Sequence, residues 1–553
     1  MFLRLLPFAF LMPAMADDET APVPYIAAEA RLFLRVPDSS PPLGSVRVSS
    51  GQALPAAHES DPKDRDRLTD VVFPIQWWRW REFTLTFTPA HTGMVELDLN
   101  GPWAETGSGA LKQQEVLWDG LAVEGGTLSN GGFEEQEDGK PAGWDSPWRP
   151  YPGPGTWPLT GGEPLEGKSL AASWHGRPLM RKISVTQGVP VTLKMHARAA
   201  TVPGFKKPAI LPKDTPAHRA CAGLKRGMNL GNHWEAPPGG WGIRYDVSDI
   251  DQIAEQGFDH IRVPVAWHYH LENGRIKKEL LAELEPVLKR ALEKKLHVIV
   301  NWHHYEALCK EPQAHRADFR KGWQVIADHF KDWPEELYFE LLNEPNGELD
   351  HGPLTEIHAE AISAIRMTNP RRILFVNPPR WGNVRGLDQL FLPDADDRII
   401  ASFHSYEPFE FTHQQAPWVN LQDLRGISYP GPPPKPVILP ESLRANNPAL
   451  VQWIDAYNTR KGSDNPCTAA TFNMLLDDAV AWSAHFGRPV HIGEFGAFQK
   501  ADPASRSRYV RDFREAAEKR NLPWALWEWK AGFGYWDSAQ AKPLLREALF
   551  EGS

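Results

Sequence analysis

After residue 220 the sequence alternates short apolar runs with stretches that have the apolar spacing of helices. Apolar runs between helices are typical of parallel strands whose sheet is covered on both faces. Eight such runs predict an α/β fold, a (β/α)8 (TIM) barrel, over residues 206–553. An open doubly wound sheet is the alternative, although no Gly-x-Gly-x-x-Gly motif follows a run. The eight runs are 224–230, 260–265, 297–302, 337–343, 372–377, 399–404, 489–495 and 523–529, and the helical stretches are 247–256, 278–294, 316–331, 354–367, 471–486 and 504–519.

The preceding residues, 17–205, have a different pattern. Apolar and polar residues alternate with period two at 82–87, 94–99, 183–185 and 189–195, and Gly/Pro turns separate these runs. This pattern predicts an antiparallel β-sandwich. The segment 128–134, followed by Gly143-Trp144, resembles the start of jelly-roll carbohydrate-binding modules, and a sandwich that only braces the next domain is the alternative. A Pro-rich stretch at 199–216 indicates a linker or a domain seam.

Residues 1–16 have the features of a secretory signal peptide. Arg4 supplies the positive charge, residues 5–12 are apolar, and Ala14-Met15-Ala16 forms a small-x-small cleavage site before Asp17. A buried N-terminal helix is the alternative. No other stretch reaches the ~18 apolar residues of a membrane span. We therefore expect a soluble protein that is exported to the periplasm or the medium, with no membrane partner.

Composition narrows the class of partner. The net charge of −10 argues against nucleic acid, because a phosphate backbone favours a basic surface. The 23 Trp residues favour sugar binding, since a flat aromatic face can cover the apolar face of a pyranose, although any one Trp could instead pack in a core. Three cysteines cannot build a disulfide framework, and we predict no disulfide.

Polar residues cluster at the C-terminal ends of six runs, and in a barrel that end carries the active site. Two of them are carboxylates, one after the fourth run and one after the seventh. A carboxylic acid and a carboxylate across a barrel mouth are what glycosidic cleavage needs, one to protonate the leaving oxygen and one to attack the sugar. The residues at these ends are Arg262, His303, His304, Asn343, Glu344, His404, Tyr406, Glu494 and Trp527.

The segments that hold the two carboxylates, 342–345 (Leu-Asn-Glu-Pro) and 492–496 (Ile-Gly-Glu-Phe-Gly), resemble the signature pair of family 5 glycoside hydrolases, the retaining cellulase family. The resemblance extends from about Gly227 to the C-terminus. The stretch 404–414 is similar to the branch that holds thermostable endoglucanases and glucanase/mannanases. Further matching segments are 227–232, 262–265, 301–305 and 527–529.

The resemblance implies a role for each matching residue. Glu344 would be the acid/base and Glu494 the nucleophile of a cofactor-independent double displacement on a β-linked polysaccharide or oligosaccharide. The other roles follow motif by motif: Asn343 on the sugar 2-hydroxyl, Arg262 and Tyr406 on Glu494, His404 beside Glu344, His303 and His304 on sugar hydroxyls, Trp527 as the sugar platform, and Asn232 and Glu235 on hydroxyls further along.

Several alternatives stay open. Arg262, near the end of the barrel, could simply pair with Glu340. A metal at His303 and His304 is not expected, because adjacent strand residues point to opposite faces. The polymer could be cellulose, mannan, mixed-linkage glucan or xyloglucan, and the chain could bind sugar without cutting it. An extended loop expected at 426–466 leaves endo or exo action open, and a monomer is expected.

Overall fold

The computed structural model describes residues 22–35, 47–48, 52–55, 67–106, 109–137, 140–146, 163–445 and 447–551. The proposed signal peptide lies outside these residues, as do Trp148 and Trp157. The chain divides into two compact units, Met1–Lys206 and Lys207–Ser553.

The N-terminal unit consists mainly of two six-stranded sheets. The first contains, in spatial order, Val23–Ile26, Lys112–Glu124, Val191–Ala199, Arg81–Phe87 and Arg47–Val48, with Ala171–Ser173 also paired to Lys112–Glu124. The second contains Gln52–Pro55, Arg67–Pro74, Glu29–Arg35, Gly93–Asn100, Leu179–Val185 and Gly126–Thr127. A short hairpin pairs Gln136–Glu137 with Lys140–Pro141.

The period-two pattern is what puts one face of each sheet inside. Phe83, Leu85 and Phe87 are buried while the residues between them are half-buried. Phe83 of the first sheet meets Phe73 of the second with ring centroids 4.6 Å apart, so the apolar faces of the sheets meet. The predicted antiparallel sheets are confirmed, with one exception: Val23–Ile26 runs parallel to Lys112 onward. These strands are far apart in sequence, and a long connection does not impose the reversal that a hairpin does.

The C-terminal unit is a closed barrel of eight parallel strands, each paired with the next and the last with the first. The predicted fold is therefore confirmed. The strands are β1 (Arg226–Asn229), β2 (His260–Val265), β3 (His297–Trp302), β4 (Leu337–Glu340), β5 (Leu374–Val376), β6 (Ile399–His404), β7 (Val490–Phe495) and β8 (Trp524–Leu526).

Helices surround the barrel. They are α1 (Pro216–Ala222), α2 (Val247–Gln256), α3 (Trp267–His270), α4 (Lys278–Glu293), α5 (Glu306–Lys310), α6 (Pro312–His329), α7 (His351–Arg366), α8 (Phe409–Thr412), α9 (Glu441–Arg444), α10 (Pro448–Thr459), α11 (Ala469–Phe486), α12 (Pro503–Lys519) and α13 (Arg546–Phe550). Short 3-10 helices cover Val384–Gln389, Pro417–Val419 and Gly462–Asp464, and two small hairpins pair Leu271–Glu272 with Arg275–Ile276 and Trp536–Asp537 with Lys542–Pro543.

The strands are buried along almost their whole length, as near-continuous apolar runs predict, and only the first residues of β1 and β3 are half-buried. Every residue of β2, β6 and β7 is buried. Ala217 and Cys221 of α1 pack against Ile299, Phe375 and Ile400, all of which come early in their strands. This helix therefore closes the N-terminal end of the barrel, and the opposite end is left for the site.

Two sequence expectations need correction. The segment 426–466 is not a plain loop, because it contains α9 and α10. Helix α10 begins where Asn447 caps the N–H of Leu450 and Pro448 occupies the first turn, where a missing N–H costs nothing. The fourth strand ends at Glu340 instead of reaching Asn343, so the residues that follow it lie in the loop above the barrel.

Two further observations concern the chain's chemistry. Cys221, Cys309 and Cys467 are all buried free thiols. Among the helices of the described residues, none has both the length and the apolarity that crossing a membrane would require.

Candidate active site

Glu344 and Glu494 approach each other at the C-terminal end of the barrel. A carboxylate oxygen of each and a ring nitrogen of His404 all lie within 4.8 Å of one another. Glu494 is at the end of β7, His404 at the end of β6, and Glu344 four residues beyond β4. Because consecutive strands are paired around a closed barrel, these three ends open into the same mouth.

Glu494 is held by two donors. Nη1 of Arg262 donates to its Oε1 at 2.7 Å, and the hydroxyl of Tyr406 donates to its Oε2 at 2.8 Å. The ring of Tyr406 is fixed by edge contacts with His413 and Phe533 at 5.0 and 5.9 Å. Both donors stabilise the ionised form of the carboxylate.

Arg262 does not choose between the two partners considered for it, because it binds both. Besides Glu494, it contacts Glu340 with Nε at 2.7 Å and Nη2 at 2.9 Å. Its Nη1 also donates to Asn229 at 3.0 Å, and its Nη2 to Asn343 at 2.6 Å. The guanidinium is completely buried, so these acceptors compensate for its lost hydration. Its planar fork fixes the positions of four neighbours at once.

Glu344 has a different environment. Its Oε1 lies 2.7 Å from Nδ1 of His404, and its backbone N–H donates to Asn377 Oδ1 at 3.1 Å. Its φ of 49° is in the left-handed region, which costs a non-glycine residue on the order of 1 kcal/mol or more. Gly382 packs beside the pair, where an added Cβ would be in ordinary contact with Cγ of Glu344 and Cγ of His404 at 3.5 Å. The backbone is thus held so that this side chain faces Glu494.

Burial shifts the pKa values of Glu344, Glu494 and His404 away from those that the same groups have in water. Burial raises the pKa of Glu344 to about 7. Burial also raises the pKa of Glu494, while the charge of Arg262 and the hydrogen bond from Tyr406 oppose that rise. The pKa of His404 falls to about 4, mainly through burial, so the imidazole is neutral at neutral pH. Glu344 therefore faces a neutral partner, and Glu494 faces a permanent cation.

Asn343 is oriented by Arg262 and keeps one donor available. Its Oδ1 accepts from the guanidinium, whereas its buried Nδ2 makes no hydrogen bond of normal geometry within the described part of the chain and only lies near enough to Glu344 to oppose the rise in the pKa of that acid. A buried donor without a partner costs free energy that a ligand acceptor would recover. Nδ2 is therefore suited to a sugar hydroxyl at the mouth.

His303 and Trp527 form one wall of the mouth. Their rings are parallel to within 4° with centroids 5.6 Å apart, and Nδ1 of His303 bonds Asn301 at 2.9 Å. His304 packs edge-on against His303 at 4.0 Å. Burial lowers the pKa of His304 to about 4 and that of His303 well below its ordinary value, so both rings are neutral donors or acceptors at neutral pH.

Asn232 and Glu235 lie in the loop after β1. Glu235 accepts the backbone N–H of Asn232 and that of His233, the latter at 2.9 Å. The side chain of Asn232 donates to Glu528, whose other oxygen accepts from Phe533 N at 3.0 Å. Burial raises the pKa of Glu235 to about 8 and that of Glu528 to about 7. The pair that the sequence singled out, one amide and one acid, is thus joined to a second buried acid, Glu528.

Four residues of the site were missed from the sequence. Asn229, Asn377 and Glu528 complete the hydrogen bonds described above, and each is at or just beyond the C-terminal end of a strand, the same signal that singled out the others. Trp381 is 62% exposed. Its backbone N–H donates to the carbonyl oxygen of Pro345 at 3.0 Å, directly beside Glu344. Its position depends on the loop after β5, and no local pattern reveals it.

Two aromatic side chains, His413 and Trp418, belong to the segment after β6, and the sequence leaves open whether each lines the cleft or packs the loop. His413 is buried and stacks on Phe409 at 4.1 Å, so it packs the loop after β6. Trp418 is 55% exposed and contacts Phe498 edge-on at 5.0 Å.

Glu344, His404 and Glu494 could each offer one atom to a metal, but the guanidinium of Arg262 at Glu494 opposes a cation there.

The geometry can be compared with known proteins. The family model for cellulase (glycosyl hydrolase family 5) matches residues 224–532. Endoglucanase H of Acetivibrio thermocellus is 27% identical over 338 residues, covering 60% of this chain and 32% of the relative. Endoglucanase 3 of Fibrobacter succinogenes is 26% identical over 352 residues, covering 60% of this chain and 53% of the relative. The match thus spans about a third of the length of the first relative and about half of the length of the second.

A solved structure matches this chain along that structure's whole length. The endoglucanase Cel5A from Thermotoga maritima matches with 32% identity and a TM-score of 0.53, covering 61% of this chain and 100% of that one. Structures of the same enzyme with mannotriose and with cellobiose match with the same identity, coverage and TM-score.

Proposed function

We propose that this chain, which belongs to glycosyl hydrolase family 5, the cellulase family, is an endo-β-1,4-glucanase that retains the anomeric configuration. The observation that carries the proposal is the pair of carboxylates within 4.8 Å. Retaining enzymes hold their two carboxyl groups ~5–5.5 Å apart, whereas inverting enzymes leave ~6.5–9.5 Å for a water molecule. The similarity of this chain to endoglucanases supports a β-1,4-glucan as the substrate.

The roles follow from the contacts of the two acids. Glu494 is paired with Arg262 and Tyr406, and so is the acid that stays ionised and attacks the anomeric carbon. Glu344, with a pKa of about 7 and a neutral histidine as partner, keeps its proton until the leaving oxygen takes it. The first step therefore forms a glycosyl ester on Glu494 and releases the leaving sugar with the proton of Glu344.

The second step reverses the proton transfer. Glu344 is now ionised and accepts a proton from water, which attacks the same carbon and breaks the ester bond to Glu494. Nδ1 of His404, 2.7 Å away, can donate to the carboxylate in this state. Asn343 Nδ2 contributes in both steps if the sugar 2-hydroxyl accepts from it, a contact that strengthens in the transition state. No cofactor takes part in these steps.

Product analysis with paired variants tests the mechanism. Glu494→Ala should lose many orders of magnitude in turnover on all substrates. Glu344→Ala should lose comparable activity on a glucan but much less on an aryl cellobioside, whose phenolate leaves without a proton. Added azide should restore Glu344→Ala and give a β-glycosyl azide. A first-formed α-anomer from the wild-type protein, or near-wild-type rates in either variant, would contradict the proposal.

Mannan is a second candidate substrate. The T. maritima structure with mannotriose favours it, because that enzyme matches the whole barrel at 32% identity. Asn232, Glu235, His303 and His304 can recognise hydroxyls, but their chemistry does not select one epimer. Reducing-sugar release from cellulose, mannan, mixed-linkage glucan and xyloglucan ranks the substrates. Binding of an aryl cellobioside without hydrolysis would instead favour a non-catalytic sugar-binding protein.

The N-terminal unit is proposed to bind carbohydrate. Its two sheets and the exposed Trp103, which packs edge-on against His175 at 4.5 Å, are the supporting observations. The full chain and its Trp103→Ala variant should differ in retention on insoluble cellulose but not in hydrolysis of a soluble aryl cellobioside. Equal retention of both proteins would favour a bracing role.

Export and assembly are also proposals. The features of residues 1–16 support cleavage after Ala16, and mass spectrometry of protein from the periplasm or medium should find Asp17 at the N-terminus. An intact Met1 would contradict export by this route. We further propose a monomer with no nucleic-acid partner, for which light scattering should give about the chain mass of 62.2 kDa less the signal peptide.

A further inference from the structure

The loop between β1 and α2 is anchored at its base and open at its tip. Tyr245 closes the base, because its hydroxyl donates to Gly231 O at 2.9 Å and its N–H to His233 Nδ1 at 3.2 Å. His233 stacks on Trp234 at 4.2 Å, which fixes the other side of the base. The tip lies between these fixed ends at residues 237–243.

Trp241 is at this tip with its indole uncovered. It is 51% exposed, and among the described residues no hydrogen bond or ring contact engages its side chain. Its neighbours Gly240 and Gly242 have φ of 71° and 84°, values that glycine adopts without strain. A Cβ built on Gly242 would meet nothing within 4 Å, so there is open space beside the indole. Because the two glycines let the loop hold the indole in this open space, its flat face is available to a ligand that stacks on it.

The base of the loop is also the edge of the proposed cleft. Gly231 lies against Trp527, whose ring would be 2.7 Å from a Cβ added there, and the next residue is Asn232. Trp241 is four residues from Tyr245, so its Cα lies at most about 14 Å from that anchor. The backbone of Trp241 is therefore no further than about 14 Å from an anchor that itself bonds Gly231 at the edge of the cleft.

The two acids give the direction of the sugar chain. The leaving sugar lies on the side of Glu344, which protonates its oxygen, and therefore towards β4 and β5. The other part of the chain, attached to Glu494 during the reaction, extends in the opposite sense, from β7 to β8 and β1. Trp527 and Asn232 lie along that direction, and the loop with Trp241 comes after them.

We propose that Trp241 is a distal sugar platform, which stacks on the non-reducing part of a β-1,4-glucan beyond the sugars that contact Trp527 and Asn232. Arg244 on the same loop is largely exposed and bonds His233 Nε2 at 2.9 Å, so its guanidinium can also donate to a hydroxyl of that sugar. The proposal rests on the proposed hydrolysis of a glucan for its substrate class. Under this proposal, Trp241 determines how strongly the enzyme prefers longer glucan chains. It does not determine which bond is cut.

Aryl glycosides of cello-oligosaccharides with two to five sugars test the proposal. The wild-type protein should gain in kcat/KM at one step of this series, because the added sugar reaches the indole. In Trp241→Ala the ratio of kcat/KM for the longest to the shortest substrate should fall about tenfold, the scale expected from covering one face of an indole. Trp241→Tyr, which keeps a flat ring, should retain most of the ratio.

Controls separate this platform from other effects. Trp333→Ala removes an indole at the opposite, N-terminal end of the barrel and should leave the ratio unchanged. Calorimetry with the Glu494→Gln variant should show that Trp241→Ala weakens cellopentaose more than cellotriose, without any turnover. An unchanged ratio, or an equal loss on every length, would overturn the proposal. No hydrolysis of any substrate by the wild-type protein would instead contradict the proposed function.

Discussion

Replacing Tyr406 with Phe isolates the contact that keeps Glu494 ionised. The change removes one hydroxyl that donates to Glu494 Oε2 at 2.8 Å and leaves the ring contacts with His413 and Phe533 available. Without this donor the anion loses stabilisation while the protonated acid does not. We therefore expect the pKa of Glu494 to rise and the acidic limb of the kcat/KM profile to move to higher pH.

The magnitude follows from the kind of hydrogen bond that is lost. A hydrogen bond to a charged group contributes about 1.5–3 kcal/mol, and ~1.4 kcal/mol corresponds to tenfold. On the acidic limb, kcat/KM should therefore fall about 10- to 150-fold. The loss should shrink as the pH rises, because Glu494 ionises again, until the deprotonation of Glu344 at about pH 7 lowers the rate of both proteins.

The assay is kcat/KM for an aryl cellobioside from pH 4 to 9, measured beside a matched control. Tyr429→Phe removes a hydroxyl that donates to Asp512 at 2.9 Å, a bond of the same type away from the two catalytic acids. It should leave the profile unchanged. An acidic limb that stays in place in Tyr406→Phe, with a melting temperature like that of the wild type, would refute the assignment of Glu494 as the group that must be ionised.

Three other outcomes are expected. Asn343→Ala should lower kcat/KM by about tenfold or more, and a 2-deoxy substrate should show no further loss in that variant if the sugar 2-hydroxyl is the missing partner. Arg262→Ala leaves Glu340 buried without its cation and should destabilise the fold by about 3–5 kcal/mol in urea unfolding, whereas a wild-type midpoint would contradict the buried network. The pKa of Glu235 is raised from 4.5 to about 8, so the folded state holds a proton that the unfolded chain releases. The melting temperature should therefore fall as the pH rises from about 5 to 8, and less steeply in Glu235→Gln.

Local sequence pattern determined the fold and the two acids. Strands β2, β3 and β6 have the bounds that their apolar runs predicted, because a strand buried on both faces needs apolar residues along its whole length. Glu344 and Glu494 could be named because parallel strands end together at one face of a barrel. In this barrel the strands follow one another in space in the same order as in the sequence. The position of a residue at the end of a strand therefore predicts that it lies at the mouth.

Tertiary structure decided which group contacts which. The sequence could not tell that Arg262 binds Glu340 and Glu494 together, since both lie within reach of one guanidinium only after the barrel has closed. Nor could it reveal that the side chain of Asn232 donates to Glu528, because these two residues are far apart in the sequence. The pKa of Glu344 could not be predicted from the sequence either, because it depends on burial that long-range packing creates. Periodicity is a property of neighbours along the chain, whereas a buried polar network is made by residues that only folding brings together.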